Sequence, residues 1–167
     1  MIRLLCAVML LSPVPALSQG MSTSFGAKDQ DTNAPIEVTA ERLEVNDNSR
    51  VAVFTGEVVV TQDQTILHAP RVEVTYVEDN PDTDEVEDGI ERVFASGGVR
   101  MFSGDDAAEG QTADYVLSSE IVVMQGDALI RQGRNVVTGE TADINLAENT
   151  ALMRGRVRTI INPGESK

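Results

Sequence analysis

The chain has 167 residues, with 13 lysines and arginines against 27 aspartates and glutamates, for a formal net charge of −14. That balance makes nucleic acid a poor partner, because binding it rests on cations that neutralise phosphates. A single cysteine rules out a disulfide framework, and aromatics are 4% of the chain, with no tryptophan.

The N-terminus reads as an export signal. Arg3 supplies the positive start, Leu4 to Leu11 the apolar run, and Pro13 to Ser18 a helix-breaking tail of small residues. Residues 1–18 are therefore expected to be removed, with cleavage near Ser18/Gln19 and loss of Cys6. The apolar run, at about 8 residues, is too short for a membrane helix, which needs roughly 20. Loss of Arg3 takes the formal charge from 13 − 27 = −14 to 12 − 27 = −15. Residues 19–34 and 162–167 are polar and without period, which predicts loose tails around one domain at 35–161.

That domain is internally repetitive. Four segments align without gaps: TAERLEV from Thr39, HAPRVEV from His68, EGQTADY from Glu109 and TGETADI from Thr138. Each has Ala or Gly at its second position and then alternates apolar residues with charged or polar ones. Four others share a glycine after an apolar stretch: VFTGEVVV from Val53, FASGGVRM from Phe94, VMQGDALI from Val123 and LMRGRVRT from Leu152. The two types alternate. Ala40 to Gly56, Gly110 to Gly126 and Gly139 to Gly155 are each 16 residues apart, and Ala69 to Gly97 is 28. The unit is thus about 29 residues, with 12 inserted once. The insertion, residues 78–91, lies in a stretch with eight acids around Pro81 and Gly89 and predicts an extruded loop.

Apolar residues at every second position identify strands, so the class is all-β. The parity slips at the small residue, where Val38 and Ala40 are out of step with Leu43 and Val45, which predicts a bulge or corner. Just before each glycine both parities are apolar, as in Ala52 with Val53 and Val93 with Phe94, so something is expected to cover both faces there. A one-dimensional stack of strand pairs leaves open edges at Ile36–Val45 and Ala151–Ile161, and head-to-tail pairing follows naturally. Ile36, Val38, Val157, Thr159 and Ile161 are the edge candidates for assembly.

With these residues in place, the chain resembles the OstA-like family of periplasmic lipopolysaccharide transport proteins over roughly Pro35 to Ile161. The carriers are the A-E-R-L-E-V, F-T-G-E-V-V-V and G-E-T-A-D-I segments in ordered alternation. The resemblance implies a twisted, semi-open β-jellyroll of antiparallel strands in the periplasm, whose apolar interior holds lipid A acyl chains. It also implies related folds on inner- and outer-membrane transport proteins as edge-to-edge partners in a bridge. Repeat and parity alone leave a parallel solenoid open.

Candidate acyl-chain contacts are the inward parity of the glycine strands: Phe54, Val58, Val60, Val99, Met101, Met124, Ala128 and Ile130. Their partners in the other strand type are Leu43, Val45, Val72, Val74, Tyr115 and Ile144. The plain alternative is that these residues are simply core. The scarcity of aromatics is read as leaving a cleft open to acyl chains. A buried methylene contributes roughly 0.8 kcal/mol, against roughly 0–1 kcal/mol for an exposed ion pair, so grip comes from the tails.

Polar motifs carry little. Arg154, Arg156 and Arg158 alternate on the last strand and fit either lipid phosphates or a solvated face paired with carboxylates. His68 has no nucleophile motif beside it. No phosphate loop, dinucleotide fingerprint or zinc spacing occurs, so neither an enzyme nor a cofactor is expected. The competing reading is a non-catalytic structural or adhesin-like envelope protein with a dry core.

Overall fold

The computed structural model describes residues 31, 33–77 and 89–162. The expected signal 1–18, the tail to residue 30, insertion residues 78–88 and residues 163–167 lie outside the described residues. Ten strands form one sheet: β1 (Glu37–Thr39), β2 (Arg42–Asn46), β3 (Val51–Gln62), β4 (Thr65–Tyr76), β5 (Ile90–Ser103), β6 (Asp106–Val116), β7 (Ile121–Gln132), β8 (Asn135–Asn145), β9 (Thr150–Arg154) and β10 (Arg158–Ile160). A 3-10 turn, Leu117–Ser119, joins β6 to β7.

From β3 to β8 each strand pairs antiparallel with its neighbours in sequence. β1 and β2 both pair with β3, while β9 and β10 both pair with β8. The repeat is therefore an antiparallel meander, and the parallel solenoid is excluded. No described strand covers the outer side of β1 and β2, or of β9 and β10, so the sheet is open at both ends.

β3, β5 and β7 each shift register at their repeat glycine. β3 pairs Thr55 with Arg71 and then Val58 with Ala69, so two residues face one. The same shift recurs between Ser96 and Val99 and between Gln125 and Ala128. In each case the extra pair has positive φ: Gly56 and Glu57 (82° and 44°), Gly97 and Gly98 (93° and 95°), Gly126 and Asp127 (81° and 52°). Such angles suit glycine and tolerate Asp better than branched residues. In the glycine strands the extra residue keeps the alternation, so Phe54 and Val58 share a parity; in the partner strands it slips, with Ala69 and Val72 both buried.

The edge strands respond differently. Ile36–Val45 and Ala151–Ile161 were expected as single strands, but each splits in two, into β1 and β2 and into β9 and β10. An edge strand has one neighbour to hold it, so the corner breaks its ladder instead of bending it. Gly155 and Arg156, with φ of 74° and 37°, occupy that break in the last unit.

The line of bends divides the sheet into two half-sheets. The first carries β1, the C-terminal halves of β3, β5 and β7, the N-terminal halves of β4, β6 and β8, and β10; the second carries the complementary halves with β2 and β9. Their inner faces share one buried cluster, which runs from Val58, Val99 and Met101 on the first to Val72, Val74, Met124 and Ile144 on the second. Each such side chain contributes about 1.5–3 kcal/mol on burial. The result is a twisted, semi-open all-β roll.

The acidic insertion joins β4 to β5. Thr75 to Arg92 is the last regular pair; the register then shifts to Tyr76 with Ile90, and Val77 N donates to Gly89 O at 3.0 Å.

Candidate functional site

The interior between the half-sheets gathers twelve of the fourteen acyl-chain candidates. Val58, Val60, Val72, Val74, Val99, Met101, Met124, Ala128, Ile130 and Ile144 are buried in one cluster, with Phe54 and Tyr115 partly buried against it. Leu43 and Val45 are not enclosed. They sit on β2 opposite Phe54 and Ala52, on the same face as the core, but are 52% and 61% exposed because no described strand lies beyond them. The apolar inner face thus emerges at the open end.

Alanines account for what the candidate set missed. Ala52, Ala69, Ala95, Ala108, Ala113 and Ala142 are buried in the same cluster, together with Val93, Val122 and Leu146. Ala128 is in the candidate set, but these alanines, like Val93, Val122 and Leu146, are not. They change the expected cleft. With thin residues on both walls the half-sheets approach closely, and the cavity left between them is about 40 Å³. One water needs roughly 10–15 Å³ by the same measure, so the space suits a few waters and no acyl chain as it stands. It is lined by Ile36, Val60 and Leu67 from one side and Val93, Tyr115 and Leu146 from the other.

Tyr115 borders this cavity. Burial, and after it the charge of Glu120, raises its phenol above the ordinary value of 10.0.

The edge candidates divide. Ile36 and Val38 pack partly against the core, and Val38 pairs with Val60 on β3. Val157 lies at the break between β9 and β10, Thr159 pairs with Val137, and Ile161 follows the last strand. Among the described residues, six of the eight large exposed apolar ones lie at the two open ends: Leu43, Val45, Leu152, Val157, Ile160 and Ile161.

The outer face is polar and internally paired. Arg71 meets Glu73 at 2.8 Å, Arg92 meets Asp114 at 2.6 Å, and Arg154 meets Asp143 at 2.7 Å. Arg156 pairs with Glu140 at 3.0 Å. The carboxylates on this face thus take Arg154 and Arg156. Apolar residues before the glycines interleave with the acids, as Phe94 does between Glu73 and Asp114, with the Arg92 guanidinium 5.2 Å from its ring centroid. Long arginine stems are the cover that the doubled apolar parity called for at Phe94. His68 packs edge-on to Phe102 at 6.0 Å. Among the described residues no group of three or more His, Cys, Asp or Glu is placed to hold a metal ion.

The comparisons with known proteins agree with this architecture. The family model described as "LptA/(LptD N-terminal domain) LPS transport protein" matches residues 37–150. An uncharacterized protein of Rhizobium meliloti (strain 1021) is 27% identical over 156 residues, 91% of this chain and 84% of the relative. Among solved structures, LptH of Pseudomonas aeruginosa, described as the LptA-homologous periplasmic component of the conserved lipopolysaccharide transport device, superposes with a TM-score of 0.69. That match has 24% identity and covers 81% of this chain and all of the other, so it speaks to the fold. The repeat, the antiparallel meander and the family match together place this chain in the LptA/LptD N-terminal domain family of lipopolysaccharide transport proteins, which are transport components and not enzymes.

Proposed function

We propose that this chain is exported to the periplasm, binds lipopolysaccharide through its lipid A acyl chains, and carries or bridges it from the inner to the outer membrane. The observation that carries the reading is the apolar inner face, which runs unbroken through the buried cluster and surfaces at Leu43 and Val45 on an open end. A tail entering there exchanges water for apolar wall, at roughly 0.8 kcal/mol per methylene. Since the interior holds a cavity of about 40 Å³, loading requires the half-sheets to swing apart, with the line of bends as the hinge.

The same open ends supply the partner surface. Strand β9 or β10 of one copy, or of a related transport protein, pairs with β2 or β1 of the next. Within the chain Leu152 faces Asp143 on the outer row, and that row starts at Glu44 facing Val53. Continuing the alternation sets Leu152 beside Glu44 of the next copy and Ile160 beside its Glu37. Edge pairing of this kind gives affinity through backbone hydrogen bonds.

The test is a detergent-free gel shift and native mass spectrometry of the purified mature chain with lipopolysaccharide. Co-migration at micromolar lipid is expected. No association, with intact envelope on depletion of the protein, sinks the reading in favour of the dry-core scaffold, which the small cavity favours.

A further inference from the structure

The inner face changes character in its last row before the hairpins. Val60, Leu67, Met101, Ala108 and Ile130 are cross-strand neighbours and form an apolar row. Two residues further along, on the same face, the next row is Gln62, Thr65, Ser103, Asp106 and Gln132. Every member is polar. These are not simply hairpin residues facing water: Ser103 is 1% exposed and Gln62 7%. The exposed turn residues Asp63, Gly104 and Gly133 lie beyond them.

Burying such groups is costly unless they are hydrogen-bonded. Here they are: Thr65 Oγ1 donates to Ser103 Oγ at 3.2 Å, Gln62 Nε2 to Ala34 O at 3.1 Å, and Gln132 Nε2 to Asp106 Oδ2 at 3.5 Å. Valine or leucine in this row would extend the core at no such cost, so a polar row asks for another reason. Gln62 and Thr65 share the lining of the cavity with Tyr115, Leu146 and the apolar Val93 and Val122 of the other wall. The side of the interior along the bends is closed by continuous backbone. An amphiphile with its tails inside and its head on the side away from the bends passes that head between these two lips.

We infer that the row Gln62, Thr65, Ser103, Asp106 and Gln132 is a saccharide-binding lip that takes the head of the glycolipid by its hydroxyl groups and not by its phosphates. The inference rests on the lipopolysaccharide reading above. Two amides, two hydroxyls and one carboxylate carry both donors and acceptors, and sugar hydroxyls, which are both, can exchange for the bonds these groups make within the protein. The row contains no cation, and the Asp106 carboxylate disfavours a phosphate.

The test compares three probes on the mature chain: lipopolysaccharide with its core saccharide, the same material dephosphorylated, and laurate. Gln62→Leu with Gln132→Leu is expected to weaken lipopolysaccharide about tenfold, the loss of two modest hydrogen bonds, and to leave laurate unchanged. Thr65→Val, a smaller change, acts in the same direction and serves if the double variant does not fold. Dephosphorylation is expected to leave affinity within about twofold, since an exposed ion pair contributes little. Unchanged lipopolysaccharide affinity in the variants, equal loss for laurate, or strong dependence on phosphate overturns the lip. If the unaltered chain binds none of the three probes, the transport reading fails with it.

Discussion

Gln111 lies across Gly126: a Cβ on that glycine, whose φ is 81°, would stand 2.6 Å from Gln111 Cγ. The residue before each bend in the partner strand does the same elsewhere, Glu140 over Gly155 and Pro70 over Gly97. The small residue and the glycine recur together because each side of the corner leaves room for the other.

Gly126→Ala is expected to destabilise the fold by about 1–3 kcal/mol, through the strained φ and the displaced Gln111, and to lower the thermal midpoint by roughly 3–10 °C. Gly133→Ala is the control, since its φ is 55° but nothing stands within 4 Å. Equal losses at both sites would show that crossing by Gln111 adds nothing.

Met124 is fully buried among residues of both half-sheets. Met124→Ala is expected to cost about 2–5 kcal/mol, measured by denaturant unfolding. Val99→Asp buries a charge in the same cluster and is expected to reduce lipopolysaccharide binding more than Arg156→Ala does. A larger effect of Arg156→Ala would move the grip from the interior to the outer face.

The open ends predict a register. Leu152→Lys sets a cation beside Glu44 of the next copy, a favourable cross-strand pair, whereas Leu152→Asp sets like charges together. Light scattering is expected to find self-association retained in the first and lost in the second. Identical behaviour of the two would rule out this pairing.

Tyr115 gives a pH dependence. Its phenol is held above 10.0, so the neutral form is favoured in the folded state. The stability this contributes is fully present below pH 10 and is lost as pH rises from there through the higher folded value. Tyr115→Phe, which cannot ionise, is expected to flatten the fall in unfolding free energy above pH 10, and an unchanged slope would assign that fall to other groups.

Much of this was legible from spacing. The alternation of Phe54, Val58 and Val60 gave strands and their inner face, and the parity slip of Val38 and Ala40 against Leu43 and Val45 gave the corner. Strand direction was not legible, because a 29-residue period is compatible with either sense of pairing. Nor was the break of the edge strands, which depends on how many neighbours a strand has. The site was half legible. Large inward residues announced themselves, but the buried alanines carry no signal of their own beyond parity, and they decide how near the walls come. The polar row was missed because Gln62, Ser103 and Gln132 stand beside turns, where polar residues pass as ordinary hairpin ends.

Because every unit brings its own corner and its own pair of strands, length is a free variable. Adding one unit widens the sheet by two strand spacings, roughly 10 Å, yet leaves the surfaces at β1 and β2 and at β9 and β10 untouched. The protein behaves as a ruler cut to a whole number of divisions. On the end-to-end pairing proposed above, the span of an assembly is set by the number of units per chain as readily as by the number of chains.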